Sequence, residues 1–284
     1  MYKYETLVPE VINILRERGT EAPFSGCYQH PVDKGTYLCR GCGLPLFRLH
    51  HQFSSSCGWP SFDDEIPNAI TRRMDEDGRR VEIICARCQG HLGHVFEGEE
   101  HTEKNLRHCV NSLAIEKVDN ESVQDTDEAI FAAGCFWGVE HLFAEYKGVL
   151  KTEVGYSGGN YPSPNYETVC QKKTGHYEAT RIIFDPKIIS YEELVKFFFE
   201  IHNPGQAEGQ GPDIGPQYRS AIFCLNPEQK KMAEKVITEL KNKAHSVTTK
   251  ILDASVFWPA EDYHQQYYKK TGHAPYCHRW TKKF

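Results

Sequence analysis

The stretch Gly134-Cys135-Phe136-Trp137-Gly138 places a cysteine between two glycines, at the junction of a predicted strand and a predicted helix. Residues 129–133 before it are apolar and predict a short buried strand. After it, apolar residues recur at helical spacing as far as Tyr146, and Gly148 is a typical helix stop. Cys135 is therefore predicted to lie in the first turn of a helix, where the helix dipole and unpaired N–H groups favour the nucleophilic thiolate. Considered alone, a cysteine here is more often a packed core residue.

The composition predicts a globular protein of about two domains in a reducing compartment. The chain has 284 residues, and 39% of them are hydrophobic, which is enough for sizeable cores. The net charge of −6 disfavours nucleic acid and anionic membranes as partners, and no apolar run approaches the ~20 residues of a membrane-spanning helix. The N-terminal residues lack the apolar core of a secretory signal, so we expect a cytoplasmic location. Eleven cysteines in such a compartment indicate metal binding or redox chemistry.

A change in the pattern of predicted elements indicates a domain boundary. Up to residue 117, a predicted helix over residues 5–18 is followed by short strand-like runs, which predict a mainly antiparallel β domain. Residues 118–128 are polar and acidic without periodicity, and they are predicted to be a linker. Over residues 129–284, elements alternate in the order β-α-β-β-α-β, which predicts an α/β sandwich with a ferredoxin-like core. We therefore expect a multidomain α+β protein.

Local signals also predict where individual elements begin and end. In the first domain, the predicted strands cover residues 36–39, 81–84, 92–96 and 113–116. In the second domain, the helix from Cys135 is predicted to end at Lys147, and a capping box formed by Ser190 and Glu193 opens another helix. A third helix is predicted over residues 226–242. The predicted strands of this domain cover residues 149–156, 177–184, 220–225 and 247–252.

Two Cys-x-x-Cys pairs in the first domain have the form of a zinc site. Each pair offers two thiolates on a tight loop, and four thiolates without an open position are typical of a structural ion. The sequence therefore predicts one structural zinc ion, with the four ligands Cys39, Cys42, Cys85 and Cys88. The alternative is two redox pairs or unpaired core thiols.

Three further motifs in the first domain carry reactive side chains. They are CGWPSF at residues 57–62, HLGHVF at residues 91–96 and RHCVNS at residues 107–112. Singly, each motif has an ordinary structural explanation. Together they offer two thiols, an aromatic wall, two imidazoles and an amide. This set suits a nucleophilic cysteine that acts on a polar, uncharged oxygen acceptor.

The first domain resembles methionine sulfoxide reductase B over residues 5–117. The run TEAPFSG at residues 20–26 and the three motifs above occur together with the two Cys-x-x-Cys pairs. The resemblance implies that Cys109 is the nucleophile, that Cys57 is the resolving thiol, and that Trp59 forms the pocket for the substrate methyl group. It also implies that three side chains position the sulfoxide oxygen and the water of the site, namely His91, His94 and Asn111.

The second domain resembles methionine sulfoxide reductase A over residues 127–281. Its motifs, besides residues 134–138, are GYSGG at 155–159, GHYE at 175–178, DIGPQYRS at 213–220 and PAEDYHQ at 259–265. The resemblance implies that Cys135 is the nucleophile, Glu178 the general acid and Cys277 the resolving thiol. It further implies a methyl pocket and a hydrogen-bond network around the oxygen, built respectively from Phe136 and Trp137 and from Tyr156, Asp213 and Tyr218.

Several positions fall outside these patterns. Many members of the first family carry an arginine where this chain has Ile84, so the function of that arginine is absent or supplied by another residue. Cys27 receives no role, and Cys170 and Cys224 lie in apolar contexts and are predicted to be packing residues. The glycine-rich tail and further cysteine of some members of the second family are missing after Cys277, so we expect a two-cysteine cycle.

The chemistry of a sulfoxide fits these residues. A thiolate attacks the sulfur only if the oxygen is protonated, and a buried Glu with a raised pKa is a suitable donor. Considered alone, Glu178 is more often an exposed strand charge. In each half, attack would leave a sulfenic acid that condenses with the resolving thiol to a disulfide. The resemblance implies thioredoxin as the reductant, oxidised proteins or peptides as substrates, and no organic cofactor.

Sulfoxides are chiral at sulfur, and one enzyme type reduces each epimer. By resemblance, the first domain would reduce the R-sulfoxide and the second the S-sulfoxide. An alternative from another class is a zinc-ribbon interaction module joined to a redox-sensing domain, which the Cys-x-x-Cys pairs alone allow. Turnover with excess dithiothreitol distinguishes an enzyme from such a sensor. In a third interpretation, the protein is an enzyme in which one half serves only as a scaffold.

Overall fold

The computed structural model describes residues 3–31, 34–75 and 78–284, and the chain divides into the units Tyr2–Thr126 and Asp127–Phe284. Both units combine helices with sheets whose strands pair mainly antiparallel, which confirms the predicted α+β class. Within the described residues, each helix is too short or too polar to span a bilayer.

The first unit is built mainly from short strands. Its elements are helix α1 (Pro9–Leu15) and strands β1 (Thr36–Cys39), β2 (Pro45–Arg48), β3 (Gln52–Phe53), β4 (Ser61–Phe62), β5 (Ile70–Met74), β6 (Val81–Cys85), β7 (His91–Glu97), β8 (Leu106–Val110) and β9 (Ile115–Val118). A three-stranded sheet has the order β2-β1-β9, and a six-stranded sheet has the order β3-β4-β8-β7-β6-β5. Tyr37 and Phe47 from the first sheet and Phe62 from the second share one buried core.

Two predicted elements of the first unit differ from the structure. The helix predicted over residues 5–18 is limited to α1, because Pro9 occupies a first-turn position and a separate 3-10 turn, Lys3–Thr6, precedes it. The strand predicted over residues 113–116 lies at β9, because residues 112–114 form a 3-10 turn. The Glu21 carboxylate accepts the backbone N–H groups of Ser112 and Leu113 and so fixes this turn.

The second unit alternates strands and helices. Its elements are β10 (Asp127–Ala133), α2 (Phe136–Ala144), β11 (Val149–Ser157), α3 (Tyr166–Cys170), β12 (Tyr177–Phe184), α4 (Tyr191–Glu200), β13 (Gly209–Gln210), β14 (Asp213–Ile214), β15 (Ser220–Cys224), α5 (Pro227–Asn242), β16 (Lys250–Asp253), β17 (Trp258–Pro259) and α6 (Tyr267–Thr271). The main sheet has the order β16-β15-β10-β12-β11-β17, and only the pairing of β15 with β16 is parallel among its described pairs. Phe131, Phe143 and Phe198 stack in its largest described core cluster.

The predicted elements of the second unit follow the structure closely. The bounds of β12 are those predicted, and α5 begins one residue after the predicted start and ends at the predicted residue. The Ser190–Glu193 capping box is present at the start of α4. Helix α2 ends at Ala144 instead of Lys147, and Cys135 is its N-cap residue, one position before the first helical turn. The strand predicted over residues 247–252 lies at β16.

Candidate active sites

The structure brings Cys57 and Cys109 together in the first unit, with their sulfur atoms 3.9 Å apart. Cys109 lies on β8, and Cys57 lies in the loop between β3 and β4. Ser61 on β4 pairs with Cys109, which anchors one end of that loop beside β8. Gly58 has a φ of +92°, and a Cβ at this position would lie 2.7 Å from the Cβ of Pro23. The loop therefore needs glycine here to pack against the TEAPFSG run.

The two thiols of this pair titrate differently. The hydrogen bonds that Cys57 accepts from Cys109, Ser55 and Ser61 lower the pKa of the Cys57 thiol to about 4. The hydrogen bond to Cys57, burial and the Cys57 charge raise the pKa of Cys109 above its usual range, while Arg107 lowers it. Within the reduced pair, these interactions therefore favour negative charge on the Cys57 sulfur over the Cys109 sulfur. Arg107 was given no role from the sequence, and Glu99 holds it through two hydrogen bonds of 2.6 and 2.9 Å.

Two carboxylates orient the histidines of this site. His94 faces Cys109 across β7 and β8, and its Nε2 lies 3.0 Å from Asp75 Oδ2. His91 Nδ1 donates to Glu82 Oε1 at 2.7 Å. The rings of His91 and His94 are 5.5 Å apart. Burial lowers the pKa of His91, and its Nε2 atom has no hydrogen-bond partner among the described residues, so this neutral ring keeps one nitrogen for another molecule.

Glu21 ties the remaining predicted residues of the site together. Its backbone carbonyl accepts the Trp59 indole N–H at 3.1 Å, and its backbone N–H donates to Asn111 Oδ1 at 3.1 Å. The Asn111 amide also donates to the carbonyl of Leu92, so both ends of this side chain are held by backbone. Glu21 was not singled out from the sequence, although it lies in the quoted TEAPFSG run.

Ile84, where the related proteins often carry arginine, is buried and lies opposite His91 in the β6–β7 pairing. The cation that influences Cys109 is Arg107, whose guanidinium also lies 4.5 Å from the centre of the Phe96 ring.

The four cysteines of the two Cys-x-x-Cys pairs form one cluster. All their sulfur atoms lie within 4.8 Å of one another, with Cys39 and Cys88 at 3.6 Å and Cys42 and Cys85 at 3.5 Å. Tetrahedral zinc with bonds of about 2.3 Å requires sulfur–sulfur edges of about 3.8 Å. The cluster is therefore compatible with a four-thiolate zinc site.

In the second unit, the structure brings Cys135, Asp213 and Cys277 together, with their sulfur and carboxylate atoms within 4.8 Å of one another. Cys135 lies at the junction of β10 and α2, Asp213 begins β14, and Cys277 follows α6. A hydrogen bond to Cys277, burial and electrostatic repulsion from Cys277 together raise the pKa of Cys135 above its usual range. The expectation that the helix start would lower this pKa is therefore wrong for the reduced pair, although the Trp137 N–H acts in that direction.

Glu178 is buried beside the nucleophile candidate. It lies on β12 opposite Tyr156 of β11, and only 2% of its surface is exposed. Its Oε2 atom accepts the backbone N–H of Phe136 at 3.1 Å. Burial, with the nearby Cys135 and Asp213, raises the pKa of Glu178 well above its usual range. The raised pKa favours the protonated carboxyl group, which is the form that donates a proton.

Aromatic side chains form a wall next to Cys135. The Trp137 ring stacks on Tyr267 at 3.7 Å with an angle of 6°, and its indole N–H donates to His264 Nδ1 at 3.0 Å. Phe136 is buried against Tyr156, with ring centres 5.9 Å apart. The sequence did not single out Tyr267 or His264, because they meet Trp137 only through the tertiary fold. The quoted PAEDYHQ motif, which contains His264, was the available signal.

The predicted hydrogen-bonding residues surround this group. Tyr156 donates to Glu261 Oε2 at 3.0 Å, and burial, Glu261 and Glu178 raise the pKa of Tyr156. Tyr218 is half-buried, and burial followed by the Glu178 charge raises its pKa. Asp213 accepts the Tyr276 hydroxyl at 3.2 Å. Both tyrosines therefore keep their protons and remain hydrogen-bond donors.

The remaining cysteines divide into two kinds. Cys224 is buried in the main core, which confirms it as a packing residue. Cys170 is half-buried at the end of α3 beside Tyr166, and its packing role stays a prediction. Cys27 is exposed.

Comparison with known proteins identifies relatives for both units. A family model described as "Peptide methionine sulfoxide reductase" matches residues 127–284, and one described as "SelR domain" matches residues 7–119. The peptide methionine sulfoxide reductase MsrA of Methanosarcina mazei is 45% identical over 188 residues, which cover 65% of this chain and 89% of that protein. The MsrA of Methanosarcina acetivorans is 46% identical over 62% of this chain and 94% of its own length. The crystal structure of reduced Mxr1 from Saccharomyces cerevisiae has 34% identity and a TM-score of 0.53, and the match covers 55% of this chain and 93% of Mxr1.

Proposed function

Because the chain belongs to the peptide methionine sulfoxide reductase family through residues 127–284 and carries a SelR domain over residues 7–119, we propose which of its residues carry out two sulfoxide reductions. The chain is a bifunctional methionine sulfoxide reductase, with the SelR domain acting on the R-sulfoxide and the other on the S-sulfoxide. The observation that carries the residue assignment is the buried Glu178, which accepts the backbone N–H of Phe136 beside Cys135 and whose pKa is raised.

In the second unit, Cys135 attacks the sulfoxide sulfur while Glu178 protonates the oxygen. The oxygen passes to the Cys135 sulfur as a sulfenic acid, methionine leaves, and the thiol proton of Cys135 replaces the one that Glu178 gave up. Three side chains form the hydrogen-bond network around the oxygen, namely Tyr156, Asp213 and Tyr218. The substrate methyl group lies against Phe136 and Trp137, and the stacked Tyr267 supports this wall. Cys277 then condenses with the sulfenic acid, and water leaves.

In the first unit, Cys109 is the nucleophile and Cys57 the resolving thiol. Arg107 assists by favouring negative charge on Cys109, a role supported by its effect on the Cys109 pKa and by the absence of an arginine at Ile84. His91 and His94 position the sulfoxide oxygen and the water of the site, since carboxylates fix both rings. Trp59 forms the methyl pocket. Asn111 positions the oxygen from a side chain that backbone groups hold in place.

Both cycles end with a disulfide that a dithiol protein must reduce. Cys57 and Cys277 are each partly exposed, so a reductant can reach the resolving sulfur of each pair. We assign this reductant as thioredoxin and the substrates as oxidised proteins or peptides bearing methionine sulfoxide. Reduction of these disulfides after each cycle requires a reducing compartment, and we therefore place the enzyme in the cytoplasm.

The four-cysteine cluster is proposed to hold one structural zinc ion. Cys39, Cys42, Cys85 and Cys88 would be the ligands, and bound zinc would tie β1 and its following turn to the β6–β7 turn. Purified protein should contain one zinc ion per chain by atomic emission, and Cys42→Ser should lose it while Cys27→Ser should keep it. A zinc content near zero in the wild-type protein contradicts this assignment.

The domain organisation completes the proposal. We assign residues 1–117 to the first domain, 118–128 to a linker and 129–284 to the second. The strand order β15-β10-β12-β11 and the helices α2 and α4 support a ferredoxin-like core, because the third strand of a split β-α-β unit lies between the first two.

An assay with separated epimers tests the proposed function. Cys109→Ser should abolish reduction of the R-sulfoxide and spare that of the S-sulfoxide, and Cys135→Ser should do the reverse. Trapping and mapping the oxidised state should yield the pairs Cys57–Cys109 and Cys135–Cys277. A bridge from Cys135 to Cys170 would overturn the assignment of Cys277.

A further inference from the structure

His278, the residue after Cys277, is a buried histidine. Its ring contacts both Cys277 and the end of the strand that precedes Cys135. Its Nδ1 atom lies 2.9 Å from the Cys277 sulfur, and its Nε2 atom lies 2.7 Å from the carbonyl oxygen of Ala133, at the end of β10. A carbonyl oxygen only accepts, so Nε2 carries the ring proton. The lone pair of Nδ1 therefore faces the Cys277 thiol.

Gly138, three residues after Cys135, makes room for this ring. A Cβ at Gly138 would lie 2.4 Å from His278 Nδ1. A side chain at Gly138 would displace the imidazole from Cys277. The turn after Cys135 thus leaves space for the imidazole of His278, which comes from the C-terminal segment.

Burial keeps the His278 ring neutral. Only 3% of its surface is exposed, and burial lowers the pKa of the imidazole, while Asp213 acts in the opposite direction. The other titratable groups that face it are Cys277 and His202. A neutral imidazole with a free Nδ1 is the form that accepts a proton.

We propose that His278 is the general base for the resolving step of the S-sulfoxide cycle, a role that rests on the proposed function of Cys135 and Cys277. The Cys277 sulfur forms a bond to the Cys135 sulfur of the sulfenic acid, and the sulfur–oxygen bond of that acid breaks. Nδ1 of His278 takes the Cys277 proton and passes it to the departing hydroxide, so water is the product. The thiol is oxidised, the sulfenic sulfur is reduced, and His278 returns to its neutral form.

Single-turnover kinetics with the S-sulfoxide, without added reductant, test this role. Methionine release reports attack by Cys135, and mass spectrometry of quenched samples reports the Cys135–Cys277 disulfide. His278→Asn should keep the methionine burst and slow disulfide formation about 10²–10⁴-fold, as expected when a general base is lost. Free imidazole should restore much of the rate in His278→Ala, and the neighbouring exposed Arg279→Gln should match the wild type.

The outcomes separate the two proposals. A wild-type protein that releases no methionine refutes the proposed function itself. A normal disulfide rate in His278→Asn overturns the role of His278, and so does a slow rate that imidazole does not restore in His278→Ala. The pH dependence of disulfide formation in the wild-type protein is a further test that needs no variant. This rate should be flat at pH 7–9 and fall in acid as His278 becomes protonated. A rate that instead rises up to a thiol pKa near ~8.5 overturns the proposal.

Discussion

Replacement of Glu178 by Gln tests the chemistry of the second unit most directly. The variant keeps the shape of the side chain and an oxygen that can accept the Phe136 N–H, but it holds no proton to transfer. General acid catalysis contributes about 10²–10⁴-fold, so kcat/KM for the S-sulfoxide should fall by that factor. This equals about 3–5 kcal/mol of transition-state stabilisation. The R-sulfoxide activity of the same molecules provides an internal control.

The same variant should change how stability depends on pH. Because the pKa of Glu178 is raised in the folded protein, the unfolded chain loses this proton first as pH rises above about 4.3. The wild-type protein should then lose up to about 1.4 kcal/mol of unfolding free energy per pH unit from this group, until the folded pKa is passed. Glu178→Gln lacks this loss. Urea unfolding of the second unit at pH 5 and pH 8 should show the variant gaining relative to wild type.

Glu167→Gln, which removes an exposed carboxylate from α3, is the matched control for both measurements. It should leave the kinetics and the pH slope at wild-type values. The reasoning is refuted if Glu178→Gln retains more than a tenth of the wild-type kcat/KM for the S-sulfoxide. It is equally refuted if the stability difference between variant and wild type does not change between pH 5 and pH 8.

Three further outcomes are expected. Because the pKa of Cys57 is about 4, iodoacetamide should still modify Cys57 in the reduced protein at pH 5, where exposed Cys27 should react little; peptide mass spectrometry measures both, and equal loss of reactivity would contradict the thiolate on Cys57. Cys42→Ser should abolish R-sulfoxide reduction and leave S-sulfoxide reduction intact, because the zinc ion proposed for the four-cysteine cluster would stabilise the first unit; loss of both activities in the epimer assay would argue against this. Tyr267→Ala should raise KM for an S-sulfoxide peptide about 2–10-fold, with kcat changed less, because the stack on Trp137 is worth about 0.5–1.5 kcal/mol; an unchanged KM in steady-state kinetics would show that the stack does not shape the pocket.

Local signals explain which parts of the fold were predictable. The bounds of β12 and the capping box of α4 depend on residues close together in the chain, and the structure has both as predicted. The turn at residues 112–114 depends on Glu21, which lies about ninety positions earlier. No pattern around residue 112 contains that information, so the sequence placed the strand too early.

The motifs named residues that the structure brings together, but they did not indicate how the ionisation of those residues is shifted. Cys135, Glu178 and Cys277 could be named from motifs, and the structure brings Cys135 and Cys277 together. Their pKa shifts arise from burial and from partners distant in sequence, which motifs do not record. The start of a helix suggested a thiolate at Cys135, whereas burial and the adjacent Cys277 outweigh the helix there.

The short distance between the Cys57 and Cys109 sulfur atoms also has a consequence for the stability of the protein during its catalytic cycle. These residues are 52 positions apart in the chain, so the disulfide proposed between them closes a long loop. By the chain-entropy relation, closing a loop of this length costs the unfolded chain about 4 kcal/mol of conformational freedom. The oxidised first unit would then be more stable against unfolding than the reduced one. Each reduction of the disulfide would return the first unit to its less stable form. During oxidative stress, protein that has not yet been reduced would thus be stabilised by the same disulfide that stops its catalysis.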